Sequence, residues 1–218
     1  MRHGHGRGAV TVKVTVSSSK RSLRLAAWQP HARAVRAPAP MHDWLVTPGS
    51  LTARLVAASD AFRVRRLHQH GAVCLADEAA AIGLARPQRV WEREVLLVCD
   101  GAPVVFAHTV VPPSADASDW PLFSALGERS LGSTLFYDPL VRRGSLEFAR
   151  LGCEHPLVRR MRLATGIEGD AQYSQQHRSI YYARRCVYRR RQGLLLVTEV
   201  FLPTVLSLGA GATMNNTE

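Results

Sequence analysis

The chain has 218 residues, of which 46% are hydrophobic, and a formal net charge of +11. This length suits one domain with a buried core and short tails. No run approaches the roughly 20 apolar residues that a membrane-spanning helix needs, and residues 9–16 alternate with polar side chains, which makes a poor secretory signal. The four cysteines are scattered without a Cys-x-x-Cys pair, which predicts reduced thiols rather than a disulfide frame or a zinc site. We therefore expect a cytoplasmic protein with no membrane partner.

The positive charge comes almost entirely from arginine, because only Lys13 and Lys20 of the 28 basic residues are lysines. A nucleic-acid site would show a basic stripe with interleaved aromatic residues, or a helix-turn-helix pattern. The densest basic run, Arg189-Arg190-Arg191, precedes Gln192-Gly193 and is typical of an exposed hairpin tip. We therefore expect no nucleic-acid partner. Two interpretations of the charge remain open, a solvated basic surface and an electrostatic funnel for a dianionic substrate.

We divide the chain into an N-terminal extension (1–40), a central domain (41–203) and a C-terminal tail (204–218). The first part ends in Ala37-Pro38-Ala39-Pro40, which is typical of a stiff linker. The predicted elements, in chain order, are a strand at 9–16, a helix at 50–60 with Ser50 as its N-cap, a strand at 62–70, a helix at 77–84, a hairpin of strands at 90–98 and 103–111, helices at 119–127 and 131–136, a strand at 145–151, a loop-rich segment at 152–177, and a closing hairpin of strands at 178–188 and 194–202.

Two charged residues, Arg93 and Glu199, occupy predicted strands at positions where apolar residues are expected. Alternate strand residues point to opposite faces, so Arg93 shares a face with Trp91 and Val95. Glu199 lies in 194–202, a segment that is apolar on both faces and therefore predicts a central strand. An unpaired buried charge costs several kcal/mol or more. A buried ion pair, a strand edge and a ligand pocket are all consistent with this pattern.

The first predicted hairpin sharpens the pocket hypothesis. Asp100-Gly101 is a strong two-residue loop signal, and with this loop Arg93 pairs directly with His108. Two cations in an apolar surface repel each other unless an anion lies between them, although a neutral, hydrogen-bonded His108 is the alternative. The pair predicts a pocket for a small aromatic or alicyclic acid.

Two His-x-His patterns are candidate metal sites. The spacing in His3-Gly4-His5 and in His68-Gln69-His70 places two imidazoles on one side of a metal ion. Neither pattern has a third ligand nearby in the sequence, so we predict no metal. The sequence also lacks a Gly-x-Ser-x-Gly elbow and a Gly-x-Gly-x-x-Gly loop.

Several ordered motifs resemble one enzyme family, the chorismate pyruvate-lyases, which form 4-hydroxybenzoate in bacterial ubiquinone biosynthesis. The motifs are Asp43-Trp44-Leu45, Gly49-Ser50-Leu51-Thr52-Ala53-Arg54, Trp91-Glu92-Arg93-Glu94-Val95-Leu96-Leu97, Asp100-Gly101-Ala102-Pro103, His108-Thr109-Val110-Val111-Pro112, Leu126-Gly127-Glu128-Arg129-Ser130-Leu131-Gly132, Tyr182-Ala183-Arg184-Arg185 and Leu195-Leu196-Val197-Thr198-Glu199-Val200-Phe201-Leu202-Pro203. The resemblance spans about residues 41–203. It implies the α+β class, with a single antiparallel β-sheet, helices packed on it and a ligand enclosed under helical flaps.

The resemblance also implies roles for particular residues. Arg93 would bind the ring carboxylate of chorismate as a bidentate fork, and Glu199 would accept a hydrogen bond from the hydroxyl of 4-hydroxybenzoate and act as the acid–base group. Leu51 and Leu131 would contact the ligand through their main chains, near predicted helix starts where N–H groups favour an anion. The resemblance implies chorismate as the small-molecule partner, with no cofactor and no metal, and we expect a monomer.

Two positions depart from the family pattern. The family has Met where this chain has Leu51, a mild change because the implied contact is through the backbone. It has Arg where this chain has His108, which removes a permanent cation. A pH-dependent rate, a subfamily variant and a reduced grip on the enolpyruvyl carboxylate are all consistent with this change. We still count His108 among the binding residues.

Two other functions remain open at this point. One is a non-catalytic effector-binding domain of the sort found in transcription regulators, which has a comparable sheet and pocket. That function requires an attached helix-turn-helix, and residues 1–40 contain no credible one. The other is an enzyme that acts on a different chorismate-derived or aromatic acid.

Overall fold

The computed structural model describes residues 25–115, 118–121, 123–167 and 180–208. They form a six-stranded antiparallel sheet with the strand order β1-β2-β3-β6-β5-β4. The strands are β1 (Phe62–Val73), β2 (Arg89–Cys99), β3 (Ala102–Val111), β4 (Val141–Leu151), β5 (Tyr181–Arg190) and β6 (Gly193–Phe201). The α-helices are α1 (Ala39–Leu45), α2 (Leu51–Ala57), α3 (Ala76–Ala79), α4 (Leu131–Leu135) and α5 (Pro156–Thr165), and three short 3-10 helices cover Ala32–Val35, Ala80–Ile82 and Pro203–Ser207. The predicted α+β class with one antiparallel sheet is confirmed.

The sheet separates two helical layers, which define a cavity face and a reverse face. On the cavity face α1 and α2 pack over the middle of the sheet, and α4 packs beyond them; their buried residues include Trp44, Leu55 and Leu135. On the reverse face α3 and α5 cover the same strands, with Met161 of α5 fully buried against Phe106 of β3. Both faces of the central strand β6 are thus largely shielded from water, as the apolar character of segment 194–202 predicts.

The β2–β3 hairpin has the predicted loop but not the predicted register. Asp100 and Gly101 both adopt positive φ angles, 50° and 83°, as a tight hairpin turn requires. The ladder then shifts by one residue between Leu97 and Val98, next to Pro103, whose nitrogen has no hydrogen to donate. The carbonyl of the extra residue, Val104, accepts a hydrogen bond from the backbone N–H of Leu202, just after β6 (3.0 Å).

This shift changes which side chains share a face. Arg93 lies opposite Thr109, and His108 lies opposite Glu94. A slip of one residue moves a side chain to the other face of a sheet. The predicted Arg93–His108 pair is therefore wrong, and the two residues lie on opposite faces.

Several local predictions were also wrong. The segment predicted to be loop-rich contains α5, which begins at Pro156 and whose apolar residues Leu157, Val158 and Met161 are buried on one side. The described part of 119–127 forms turns rather than a helix. Ala39 and Pro40, assigned to a linker, open α1.

The ends of the described chain take part in the core. Ala32 and Val35, from the predicted N-terminal extension, are buried in the same cluster as α1 and α2, and Val205 from the predicted tail joins them. The predicted strand at 9–16 lies outside the described residues. The domain boundaries at 40 and 203 stay predictions. None of the helices in the described ranges combines the length and hydropathy needed to cross a bilayer.

Candidate active site

A cavity lies between the cavity face of the sheet and helices α2 and α4. Strands β2, β3, β5 and β6 form its floor. Its apolar walls come from Val95, Leu97, Val197, Leu51, Leu131 and Leu135. The basic and acidic residues among those that line the cavity are Arg93, Arg184 and Glu199.

Arg93 is buried, with only 2% of its surface exposed. Its Nη2 donates to the carbonyl oxygens of Gly127 (3.1 Å) and Arg129 (2.9 Å), in the segment that leads into α4. Its Nε has no hydrogen-bond partner among the described residues. No carboxylate in the described ranges forms an ion pair with Arg93. Burial, with a smaller effect of the Arg66 charge, lowers the pKa of Arg93 to about 10, so it remains cationic at neutral pH. A buried guanidinium without an acidic partner is what an anion site requires.

Glu199 is paired with a residue that the sequence analysis did not single out, Arg184. The two lie directly opposite each other on β6 and β5, and Arg184 Nε donates to Glu199 Oε2 over 2.5 Å. Arg184 is 2% exposed. Its Nη1 donates to the carbonyl oxygens of Leu45 (3.1 Å), the last residue of α1, and of Thr47 (3.3 Å), just after that helix. The register of the closing hairpin would have identified this pair, because cross-strand partners share a face.

Leu51 and Leu131 are the first residues of α2 and α4, and both line the cavity. The two helices meet above it, where the hydroxyl oxygens of Thr52 and Ser130 are 2.6 Å apart. Gly132 allows this approach, since a Cβ at that position would lie 2.9 Å from Thr52 Oγ1. The predicted N-cap of α2 is confirmed, because Ser50 Oγ accepts from Ala53 N. Helices α2 and α4 thus form the roof of the cavity.

His108 does not line the cavity. It is fully buried on the reverse face, where Nδ1 lies 3.0 Å from Glu94 Oε1 and Nε2 lies 2.9 Å from Glu78 Oε1. Burial alone would lower the pKa of His108, but the carboxylates of Glu78 and Glu94 outweigh it and raise the pKa to about 10. The structure therefore brings four of the five predicted site residues together and places His108 elsewhere. The ligand-binding roles of all five stay predictions.

The reverse-face cluster also bears on the metal question. His68 Nε2 lies 2.8 Å from Glu92 Oε1, so the His68–His70 pattern does have a further ligand-type group beside it, contrary to the reasoning from sequence. Arg160, however, donates to Glu92 (3.0 Å) and to Glu94 (2.7 Å). The carboxylates are thereby compensated by protein cations, and we interpret the cluster as an ion-pair network. The other pattern, at residues 3–5, lies outside the described residues.

The cavity combines a cation at one side, a carboxylate at the other and apolar walls between them. Arg93 on β2 and Glu199 on β6 are separated by strand β3, whose Ala107 and Thr109 form the floor between them. This arrangement of charges and apolar walls is complementary to a flat acid that carries a carboxylate at one end and a polar substituent at the other. The carboxylate of Glu199 is also placed to accept or donate a proton there.

Comparison with known proteins gives this geometry a family. The sequence profile of the family described as "Chorismate lyase" matches residues 22–208. A probable chorismate pyruvate-lyase of Cupriavidus metallidurans is 46% identical over 187 residues, which is 85% of this chain and 84% of the relative. Another, from Ralstonia nicotianae, is 49% identical over 162 residues, 74% of this chain and 80% of the relative.

A solved structure shows the same fold in a different kind of protein. The effector domain of PhnF from Mycobacterium smegmatis matches with a TM-score of 0.50, 15% identity, and coverage of 72% of this chain and 90% of that domain. At this identity the likeness shows the fold alone. The sequence matches, which cover most of the chain, identify the family. The chain belongs to the chorismate lyase family.

Proposed function

We propose that this protein converts chorismate to 4-hydroxybenzoate and pyruvate, the step that supplies the aromatic ring for ubiquinone. The observation that carries the proposal is Arg93, a buried guanidinium that lines the cavity without an acidic partner among the described residues. Burying an uncompensated cation is costly, and an anionic ligand offsets that cost. The family relationship supplies the identity of the anion.

The reaction needs no net oxidation. The C3–O bond of chorismate breaks, the hydrogen at C4 is lost as a proton, and the ring becomes aromatic. The enolpyruvyl group leaves with its ether oxygen, takes up a proton and becomes pyruvate. Aromatisation makes the reaction strongly favourable, so fixed charges, orientation and exclusion of water are the contributions required of the protein.

The residues of the cavity fit these requirements. Arg93 binds the ring carboxylate, with the backbone at Leu51 and Leu131 completing the contacts to the ligand. Glu199 accepts a hydrogen bond from the C4 hydroxyl and acts as the acid–base group at the C3–C4 bond. The roof formed by α2 and α4 excludes water, which strengthens each of these electrostatic contacts.

One assay tests the proposal. The purified protein is incubated with chorismate in EDTA, and pyruvate and 4-hydroxybenzoate are followed together. Equal amounts of the two products support it. Pyruvate with a different aromatic product would indicate another chorismate-derived acid as the product, and tight binding of an aromatic acid without turnover would indicate an effector-binding function. The cytoplasmic location and the monomeric state stay predictions.

A further inference from the structure

The charges in the cavity do not match a substrate with two carboxylates if Arg93 is the only anion-binding residue. Chorismate carries one carboxylate on the ring and a second on the enolpyruvyl ether. Among the residues that line the cavity, the second cation is Arg184. It has no assigned role in the proposed function.

Arg184 lies on the side of the cavity where the second carboxylate is expected. Its Nε is bound to Glu199 Oε2, which in the proposed arrangement accepts a hydrogen bond from the hydroxyl at C4. The enolpyruvyl ether is attached to C3, the neighbouring ring carbon. Arg93 lies on β2, separated from Arg184 on β5 by strands β3 and β6, at the ring-carboxylate end. The two arginines are thus placed at opposite ends of a ligand that is charged at both ends.

The guanidinium of Arg184 also has N–H groups left for a ligand. It carries five N–H donors, and the hydrogen bonds that it makes to described residues use Nε and Nη1. The bonds from Nη1 to the carbonyls of Leu45 and Thr47 hold the group in place without neutralising it. Nη2 makes no hydrogen bond within the described ranges, in which the partners of Arg184 are Glu199, Leu45 and Thr47.

We propose that Arg184 binds the enolpyruvyl carboxylate of the substrate, an inference that rests on the proposed function. Arg184 then has two tasks, since it orients Glu199 through Nε and binds the departing group through its remaining N–H donors. When pyruvate leaves, the anion bound by Arg184 is removed and the product is held by Arg93 and Glu199. Arg184 is accordingly the residue that distinguishes the dianionic substrate from the monoanionic product.

The test compares two stable ligands that share a ring and an ether at the C3 position. 3-(Carboxymethoxy)-4-hydroxybenzoate carries a second carboxylate on the ether, whereas 3-methoxy-4-hydroxybenzoate does not. Calorimetry gives the affinity of the protein for each, and the ratio of the two affinities isolates the contribution of the second carboxylate. We expect a preference for the dicarboxylate in the wild-type protein that falls about tenfold or more in Arg184→Gln.

Two further variants keep the test interpretable. Arg184→Lys retains the charge and a partner for Glu199, so it remains informative if Arg184→Gln fails to fold; its preference should fall at least about threefold, because lysine lacks the guanidinium geometry. Arg185→Lys is the matched control on the same strand, since Arg185 is also buried (8% exposed, against 2% for Arg184) but lies on the reverse face, paired with Glu147 at 2.8 Å. It should leave the preference unchanged.

The outcomes separate the inference from the proposed function. A wild-type protein that shows no preference for the dicarboxylate, or a preference that survives in both Arg184 variants, overturns the role of Arg184. If the wild-type protein still releases pyruvate and 4-hydroxybenzoate from chorismate, the proposed function stands regardless. Absence of that turnover overturns the proposed function itself, whatever the affinity ratio.

Discussion

Replacing His108 with glutamine is expected to destabilise the fold strongly at neutral pH and much less at high pH. His108 is fully buried, and it faces Glu78 from α3, Glu92 and Glu94 from β2, with Arg160 and His68 completing the cluster. Glutamine keeps a donor of similar size but removes the positive charge. The change leaves three buried carboxylates with less cationic compensation.

Two arguments give the expected loss in the free energy of unfolding. Breaking a buried ion pair by removing one partner typically costs about 3–5 kcal/mol. The pKa of His108 rises from 6.5 to about 10 in the fold, and at about 1.4 kcal/mol per unit this shift corresponds to roughly 5 kcal/mol. In a chain of this size a loss of about 5 kcal/mol lowers the melting temperature by roughly 10–20 °C.

The sign of the pH dependence follows from the raised pKa. Below about pH 6.5 the imidazole is protonated in both the folded and the unfolded chain, and its full stabilisation is present. Between about 6.5 and 10 only the folded chain holds the proton, so the stabilisation falls as pH rises, and above about 10 it is lost. The difference in free energy of unfolding between wild type and His108→Gln should therefore shrink steadily over this range.

Urea unfolding of both proteins at pH 6, 7.5, 9 and 10 measures this difference. Taking the difference removes the contributions of groups that both proteins share, such as the buried thiols of Cys74, Cys99 and Cys186, whose pKa values are raised by burial. His31→Gln, at an exposed position, is the control and should match wild type throughout. A difference that is near zero at pH 6, or one that is constant from pH 6 to 10, would refute a charged His108.

Three predictions concern the site directly. Arg93→Ala should weaken 4-hydroxybenzoate binding by about 3 kcal/mol or more in calorimetry, whereas exposed Arg63→Ala should leave it unchanged; near-normal affinity in the first variant would remove Arg93 from the site. Glu199→Gln should lower single-turnover pyruvate release about 10²-fold and, because it leaves Arg184 without its carboxylate, also lower the melting temperature; an unchanged rate would make Glu199 structural. Chelation with EDTA should leave turnover intact, and recovery of lost activity on adding zinc would contradict the metal-free mechanism.

Arg93 and Glu199 could be picked out from the sequence because the alternation of side chains along a strand can be read without knowing the fold. Arg93 and Glu199 stand out as charges in apolar strands, and the structure places both on the cavity face. The hairpin loop at Asp100-Gly101 could also be predicted from the sequence, since its two positive φ angles suit this pair of residues. Alternation alone does not give the pairing register of two strands beyond a β-bulge.

The error in the predicted β2–β3 register has a local cause, Pro103, that is visible in the sequence but was not used in the prediction. Pro103 follows the loop closely and cannot donate to the ladder, and the strand absorbs Val104 as an extra residue at this point. Every pairing farther along the hairpin then shifts by one. Arg184 was missed for a related reason, because its neighbour Arg185 is just as charged and only the β5–β6 register shows which of the two faces the cavity.

The position of His108 explains why this chain departs from the family pattern without an evident cost to the cavity. The side chain at this position faces Glu78 and Glu94, so its neighbours require a cation there, and a buried histidine with its pKa raised to about 10 satisfies that requirement as a permanent charge would at neutral pH. The reduced grip on the enolpyruvyl carboxylate, one interpretation of the missing arginine, does not follow from this geometry. The flanking residues Glu92 and Glu94 point to the reverse face while Arg93 between them points into the cavity, so one short stretch of β2 anchors the ion-pair network and positions the anion site together.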